Sequence, residues 1–564
     1  MDYKEKLAAA LAPLAGLPAG ELKDMLETPP DPAMGDFALP CFKLARTMKK
    51  APPAIAQELQ QSLSLPSGIG RSEVKGGYLN FFLNQSSFAA DILTAVAKAG
   101  ADYGSSSKGE GKTIVLDYSS VNIAKPFHIG HLSTTAIGNS LYRIYSFLGY
   151  HCVGVNHLGD WGTQFGKLIA AYKHWGSREE IEKKSIHGLL ELYVRFHEEA
   201  KKDPALDDEG RAWFKKIEDG DAEALEIFGW FKEITLKEVG KVYDLLGVKF
   251  DSYAGESFYN DKMQPVIDEL REKNMLELSD GAYVVRLDED NLPPCIILKS
   301  DGTTLYATRD LAAAFYRKKT YDFDKCLYVV AYQQNLHFKQ LFKVIEKMGY
   351  PWAKDMIHVN FGMVSLQDGT LSTREGRVVF LEDVLHQAMD KTLRVINEKN
   401  PELPDKEAVA REVGVGAVVF SALSNSRIKD IVFDLDRVLN FDGETGPYVQ
   451  YTHARAMSVL RKAGDGAESA PDYSALEGEQ ALAVLKNLAA FPDIVEKACE
   501  KNEPSVVTRH MIDLAQSFNK FYYDIRIIDE DAAATAARLE LCRATAQVLK
   551  TGLYLIGVGA PDRM

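Results

Sequence analysis

At 564 residues, 46% hydrophobic and 26% charged, the chain is too long for one core and too ordinary in composition for a fibrous or disordered protein. Its 80 acidic against 66 basic residues leave a formal charge of −14, which excludes non-specific polyanion binding as its main task and confines any polynucleotide contact to local basic patches. No apolar run approaches the ~18 residues of a membrane span and the start lacks the charged-then-apolar pattern of a leader, so a cytoplasmic protein with no membrane partner is expected.

The first region, 1–105, reads as an α+β module. A helical pattern over Asp2 to Ala15 is followed by the Gly76-Gly77 break and the aromatic run Tyr78 to Leu83, which predicts a strand. The loop chemistry of Ser105 to Gly109 sets the boundary. From Thr113 the reading changes. Ile114-Val115-Leu116 predicts a buried strand, His131 to Tyr150 a helix and Val153 to Val155 the next strand, a βαβ unit and hence a parallel sheet. Further apolar runs lie at Cys295 to Leu298 and Cys326 to Ala331, the second followed by a helical His337 to Met348. This second region ends near Pro404. Beyond it, 405–564 is helical in pattern, over Lys406 to Leu423, Tyr448 to Lys462 and from Ser505 onwards. Six dispersed cysteines (Cys41, Cys152, Cys295, Cys326, Cys499, Cys542) form no C-x-x-C pair, which argues for buried thiols and against a disulfide framework or a structural metal.

The densest chemistry lies in Asp117 to His131, D-Y-S-S-V-N-I-A-K-P-F-H-I-G-H, where a strand gives way to a helix. Free N–H groups and the positive end of the helix dipole gather there, which suits a phosphate. His128 and His131 offer hydrogen bonds to phosphate oxygens, Gly130 leaves room for a purine or ribose, and Lys125 adds a mobile cation. Taken alone, His-x-Gly-His is equally consistent with capping or surface histidines; the neighbouring Ser119, Ser120, Asn122 and Lys125 are too many polar groups for a simple helix start.

This stretch, with Leu158 to Gly166, Leu305 to Asp310, Gln333 to His337, Leu371 to Gly376, Gly446 to Arg455 and Ala560 to Met564, closely resembles the class I arginyl-tRNA synthetases. The resemblance implies an α/β fold: a Rossmann-like parallel-sheet catalytic domain (106–404, with insertions), an N-terminal α+β module (1–105) contacting tRNA and a C-terminal all-α helical bundle (405–564) reading the anticodon. It implies that ATP, with Mg²⁺, activates L-arginine and that the arginyl group passes to the 3′-terminal ribose of tRNA(Arg), by a protein acting as a monomer. His128, Gly130, His131 and Lys125 would bind ATP. The family's mobile lysine loop is matched by Thr370 to Arg377, which has no lysine, so Ser372 and Arg374 are expected to meet the phosphates with Lys125 supplying the missing cation.

The same resemblance assigns arginine to Asp117, Ser119, Asn122, Tyr306, Asp310 and Gln334, with Asn122 at the α-amino or carboxylate end. The spacing of four between Tyr306 and Asp310 would face both the same way on a helix, although Asp310 pairing with neighbouring Arg309 is the plainer reading. For tRNA, aromatic and cationic side chains suggest Tyr78, Asn80 and Phe82 in the first region, and Tyr448, Gln450, Tyr451, Arg455 and Tyr522 in the last. Two alternatives stay open: a small-molecule adenylyltransferase, which has little use for the long helical region, and an RNA-binding protein that has lost catalysis, which the lysine-free loop favours.

Overall fold

The computed structural model describes residues 3–125, 127–299, 302–366, 379–464 and 469–564. Its first strands, β1 (Phe37–Pro40), β2 (Ile69–Lys75) and β3 (Tyr78–Leu83), form an antiparallel sheet in the order β1-β3-β2. Alternation along β3 sends Leu79, Phe81 and Leu83 into a core shared with Leu7 and Leu11 of helix Tyr3–Ala15 and Ile55 and Leu59 of helix Pro52–Ser62.

The Rossmann-like region is built on β4 (Thr113–Asp117), helix Leu132–Phe147 and β5 (His151–Val155), the βαβ unit expected. Ile114, Val115 and Leu116 are all fully buried, because helices cover both faces of a parallel sheet and leave β4 no solvent side. The chain then makes a long excursion. Helices Thr163–Trp175, Ile186–Ala200, Ala205–Glu218 and Ala222–Leu246 come first, then a separate antiparallel sheet of β6 (Glu277–Ser279), β7 (Ala282–Val285) and β8 (Cys295–Lys299). The apolar run Cys295 to Leu298 therefore lies outside the parallel sheet, and its Ile296 is exposed.

After helix Tyr306–Tyr321 the chain returns as β9 (Lys325–Tyr328), helix Asn335–Lys347 and β10 (Met356–His358), giving the parallel order β10-β9-β4-β5. Strand β4 thus has β5 on one side and β9 on the other, with Val115 level with both Val153 and Cys326. The connections leave β4 in one direction and return from the other, which opens a crevice at the carboxyl ends of β4 and β9. A further parallel pair joins β11 (Val364–Leu366) to β12 (Ile431–Phe433), a short strand in the stretch expected to be helical throughout.

Helices Leu381–Lys399, Lys406–Leu423, Gly446–Ala463, Glu479–Lys501, Ser505–Asp524 and Ala532–Leu555 make up the rest. Tyr103 fastens the first region to them: its hydroxyl donates to Leu488 O at 3.0 Å and its ring stacks on Phe491, 6.4 Å between centroids. All six cysteines are buried and free, as their spacing suggested. Among the described residues no helix is long and apolar enough to cross a membrane. Phe491 is fully buried between the rings of Tyr103 and His510, so Phe491→Ala should cost about 3–5 kcal/mol, read as a lower urea midpoint.

Candidate active site

The turn leaving β4 is bent by residues in a conformation that favours glycine: Ser119 (φ 69°), Ser120 (φ 46°) and Ala124 (φ 60°) are all left-handed. Each costs about 1–2 kcal/mol, and buried hydrogen bonds from other elements offset it. The Ser119 N–H donates to Thr134 Oγ1 (3.0 Å), the Ala124 N–H to Thr235 Oγ1 (3.0 Å) and the Ile123 N–H to Gly159 O (3.1 Å). Gly159 leaves room there for Asn122, since a Cβ would lie 2.3 Å from Asn122 Oδ1 and displace that side chain. The bend corrects one expectation. Ser119 is turned inward, its hydroxyl bonded with Tyr243 (2.8 Å) and Thr135 (2.9 Å), so it does not reach the crevice; Ser120 lines it instead.

His128 and His131 cap each other rather than riding one helical face. The Gly130 N–H donates to His128 Nδ1 (3.0 Å), the His128 N–H donates to His131 Nδ1 (3.2 Å), and the rings lie 4.0 Å apart. Burial, reinforced by Lys125, pulls His128 down to about 4, and burial with the neighbouring His128 holds His131 well below the ordinary range. Both imidazoles are therefore neutral near pH 7. With each Nδ1 accepting a backbone hydrogen bond, the proton of each ring sits on Nε2, and the pair presents two N–H donors without charge.

Ser372 and Arg374 fall in 367–378, outside the described residues. On its far side, Val379 to Leu381 meet the histidine motif: the Ile129 N–H donates to Val379 O (3.0 Å) and the Leu381 N–H to Phe127 O (2.9 Å). The Lys125 ammonium lies 5.9 Å from the centre of the Tyr193 ring.

At the carboxyl ends of β4 and β9 a cavity of about 390 Å³ brings together Asp117, Asn122, Tyr306, Asp310 and Gln334, all expected, with Glu256, Arg309, Arg317, His157 and His337. Helix Tyr306–Tyr321 supplies Tyr306, Arg309, Asp310 and Arg317. Tyr306, 60% exposed, stands at the mouth with its ring 4.9 Å from that of His337.

Three carboxylates enter this space. Both oxygens of Asp117 are taken, Oδ1 by the Ser120 hydroxyl (2.8 Å) and Oδ2 by Arg317 Nη2 (2.8 Å). Asp310 pairs not with Arg309 but with His337 Nε2 (2.7 Å), with His157 Nε2 at 3.7 Å; burial pushes its carboxyl up, and these histidines outweigh that and hold it below the usual range. Glu256 lies 3.4 Å from Arg309 Nη1, and burial raises its pKa to about 7 against the opposing pull of Arg309.

Glu256 owes its position to Asp160, a fully buried carboxylate met by Lys232 Nζ (2.6 Å), the Ser257 N–H (2.8 Å) and the Ser257 hydroxyl (2.7 Å). Sequence reasoning did not find Glu256, His157 or Arg317. Arg317 carried a signal, since it lies seven residues beyond Asp310 on the same helix; Glu256 opens the short 3-10 helix Glu256–Lys262, which has no chemical pattern of its own.

The RNA-facing candidates divide. Tyr78 is exposed and the Phe82 ring is covered by the Arg71 guanidinium at 3.6 Å, but Asn80 is 2% exposed and offers no face to RNA. Gln450 is also withdrawn: fully buried, its amide donates to Glu412 O (3.2 Å) and Gly559 O (3.0 Å), clamping the stretch after the last helix. Tyr448 is half-buried, its hydroxyl accepting from Asn519 (3.0 Å). Tyr451, Arg455 and Tyr522 do converge, with Arg461, Lys462 and Arg563, on a cavity of about 730 Å³. There the Arg455 guanidinium lies 4.8 Å from the Tyr451 ring and 5.0 Å from that of Tyr522.

Three family models account for most of the chain: "Arginyl tRNA synthetase N terminal domain" over 1–83, "tRNA synthetases class I (R), catalytic domain" over 93–435 and "DALR anticodon binding domain" over 449–564. Among curated relatives, the arginine–tRNA ligases of Alkaliphilus metalliredigens and Clostridioides difficile are 54% and 55% identical, each aligned over 100% of both chains. Among solved structures, the Thermus thermophilus arginyl-tRNA synthetase matches with a TM-score of 0.80 at 27% identity, covering 99% of each chain. The Plasmodium falciparum arginyl-tRNA synthetase, at 23% identity, shares the fold with a TM-score of 0.78 over 96% of this chain and 94% of its own. A buried parallel sheet with the paired histidines on the segment that leaves β4, a carboxylate-lined crevice at its carboxyl edge and full-length likeness at over half identity all carry one conclusion: the chain belongs to the class I arginyl-tRNA synthetase family.

Proposed function

We infer that the chain is an arginine–tRNA ligase, which joins L-arginine to ATP as arginyl-adenylate with release of pyrophosphate and then passes the arginyl group to the 3′-terminal ribose of tRNA(Arg). The observation that carries this is the crevice at the carboxyl ends of β4 and β9, where Asp310 and Glu256 offer carboxylates matched to the fork of a guanidinium. Asn122 and Gln334 would receive the α-amino and carboxylate end, and Asp117, with both oxygens engaged, would support them from behind.

In activation, the arginine carboxylate oxygen attacks the α-phosphorus and the bond to pyrophosphate breaks. The Nε2–H groups of His128 and His131 would donate to the oxygens where charge grows, at no cost of reorganisation. Lys125, Ser372 and Arg374 would meet the departing phosphates, and Mg²⁺ would arrive with ATP. No protein nucleophile is needed, because positioning and charge carry the step.

We assign 1–105 to tRNA contact, 106–404 to catalysis and 405–564 to the anticodon. Tyr78 and Phe82 would serve the first, and Tyr451, Arg455 and Tyr522 would stack on anticodon bases in the last, with Tyr448 supporting them through Asn519. The protein is proposed to work as a cytoplasmic monomer.

The direct test is arginine-dependent ATP–pyrophosphate exchange, with tRNA(Arg) present and absent and other amino acids as controls. Exchange with arginine alone is expected; none under any condition, with tRNA binding intact, would favour a protein that kept the fold and lost the chemistry. In that assay His128→Ala should lower kcat about 10²–10³-fold, the effect of deleting one donor to a developing oxyanion. Because cationic arginine binds ionised Glu256, the KM for arginine should fall as pH rises through about 7 and level off above it, and Glu256→Gln should flatten that dependence. Asp310→Asn should raise the KM for arginine by about 2–5 kcal/mol of lost binding while ATP affinity holds.

A further inference from the structure

The cavity holds more charge than a guanidinium site needs. Of its three carboxylates, Asp117 and Glu256 are each faced by an arginine of the chain itself, Arg317 and Arg309. Arg317 is 1% exposed and Asp117 7%, measured on the side chains, so this pair forms a part of the cavity wall withdrawn from bulk solvent. It also lies at a particular end. Arg317 is seven residues beyond Asp310 along one helix, about 10 Å along the axis, and the Asp117 carboxylate is tied to Ser120, beside Asn122.

Substrate arginine carries a guanidinium at one end and a carboxylate at the other, and the cavity would satisfy it in either direction if Asp117 were bare. A reversed molecule would set its guanidinium on Asp117 and its carboxylate against Arg309 instead of at the Asn122 end proposed for it. We propose that Arg317 is a positioning residue that sets the direction of the substrate: by closing on Asp117 at 2.8 Å, while Ser120 takes its other oxygen, it removes the rival guanidinium seat and leaves Asp310, with Glu256 held more loosely by Arg309 at 3.4 Å, as the place where the substrate's guanidinium docks. The inference rests on the reading of this cavity as the arginine site.

Steady-state exchange kinetics test it. In Arg317→Met, arginine bound backwards competes with arginine bound forwards, so kcat and the KM for arginine should fall together by about tenfold, with kcat/KM nearly unchanged, the signature of unproductive binding. Millimolar guanidinium chloride should raise kcat in this variant by refilling the seat on Asp117, yet act on the parent protein only as a competitor of arginine. Asp117→Asn/Arg317→Met, which lacks the rival carboxylate, should lose the response to guanidinium, whatever the change at Asp117 itself costs in kcat.

If Arg317→Met does not accumulate folded, Arg317→Lys carries the test. It keeps the charge but not the fork, and a smaller paired fall relieved by guanidinium is expected. A lower kcat in Arg317→Met with an unchanged or higher KM and no response to guanidinium would overturn the proposal and leave Arg317 a structural residue. Asp310→Asn separates this failure from the other: an unchanged KM for arginine there would mean that the cavity is not the arginine site at all.

Discussion

The buried carboxylate of Asp160 is the interaction on which the site's assembly depends. A charge with no solvent exposure must find its partners inside the protein or cost several kcal/mol, and Asp160 finds them in two segments: Lys232 on helix Ala222–Leu246 and both the backbone and the hydroxyl of Ser257. Satisfying one carboxylate thus draws the helical excursion against the end of the parallel sheet and holds Glu256, next to Ser257, in the crevice. Gly255 marks how close that approach is, since a Cβ there would lie 2.7 Å from Asp160 Oδ1.

The histidine pair follows the same economy. The hydrogen bonds that cap the turn are the ones that choose the tautomer, so the fold of Phe127 to His131 and its chemistry rest on the same two contacts. Burial keeps both rings neutral, and a neutral donor stabilises charge that develops during reaction without binding resting anions as strongly as an imidazolium would.

What the sequence made legible was local. The β4–helix–β5 unit, helix Lys406–Leu423 and the His128–His131 motif were readable because their signals lie within a few residues of one another. Tyr306 and Asp310 came from the family resemblance, and their spacing of four on helix Tyr306–Tyr321 agrees with it. Ser119 was misread because three left-handed residues break the alternation that would have pointed it into the crevice, and only a fold supplies the bonds that hold such a bend. Asn80 and Gln450 were misread because polar side chains ordinarily sit outside; Gln450 is buried since backbone carbonyls of two segments use its amide. Glu256 had no local signal, reaching the cavity only once the excursion packs against the sheet, whereas His157 lies two residues beyond β5, at the same carboxyl edge.

That excursion also has a bearing on how the chain comes into being. Strand β4 gains β5 almost at once, but β9, its other neighbour, begins only at Lys325, roughly two hundred residues after β4 ends, which at ribosomal speeds is about 10–40 s of synthesis. Through that interval the most apolar strand of the sheet has one unpaired edge, the condition in which nascent chains pair wrongly or recruit chaperones. The insertion that delivers Glu256 and Arg309 to the crevice makes the emerging sheet, for that time, the part of the molecule most exposed to aggregation.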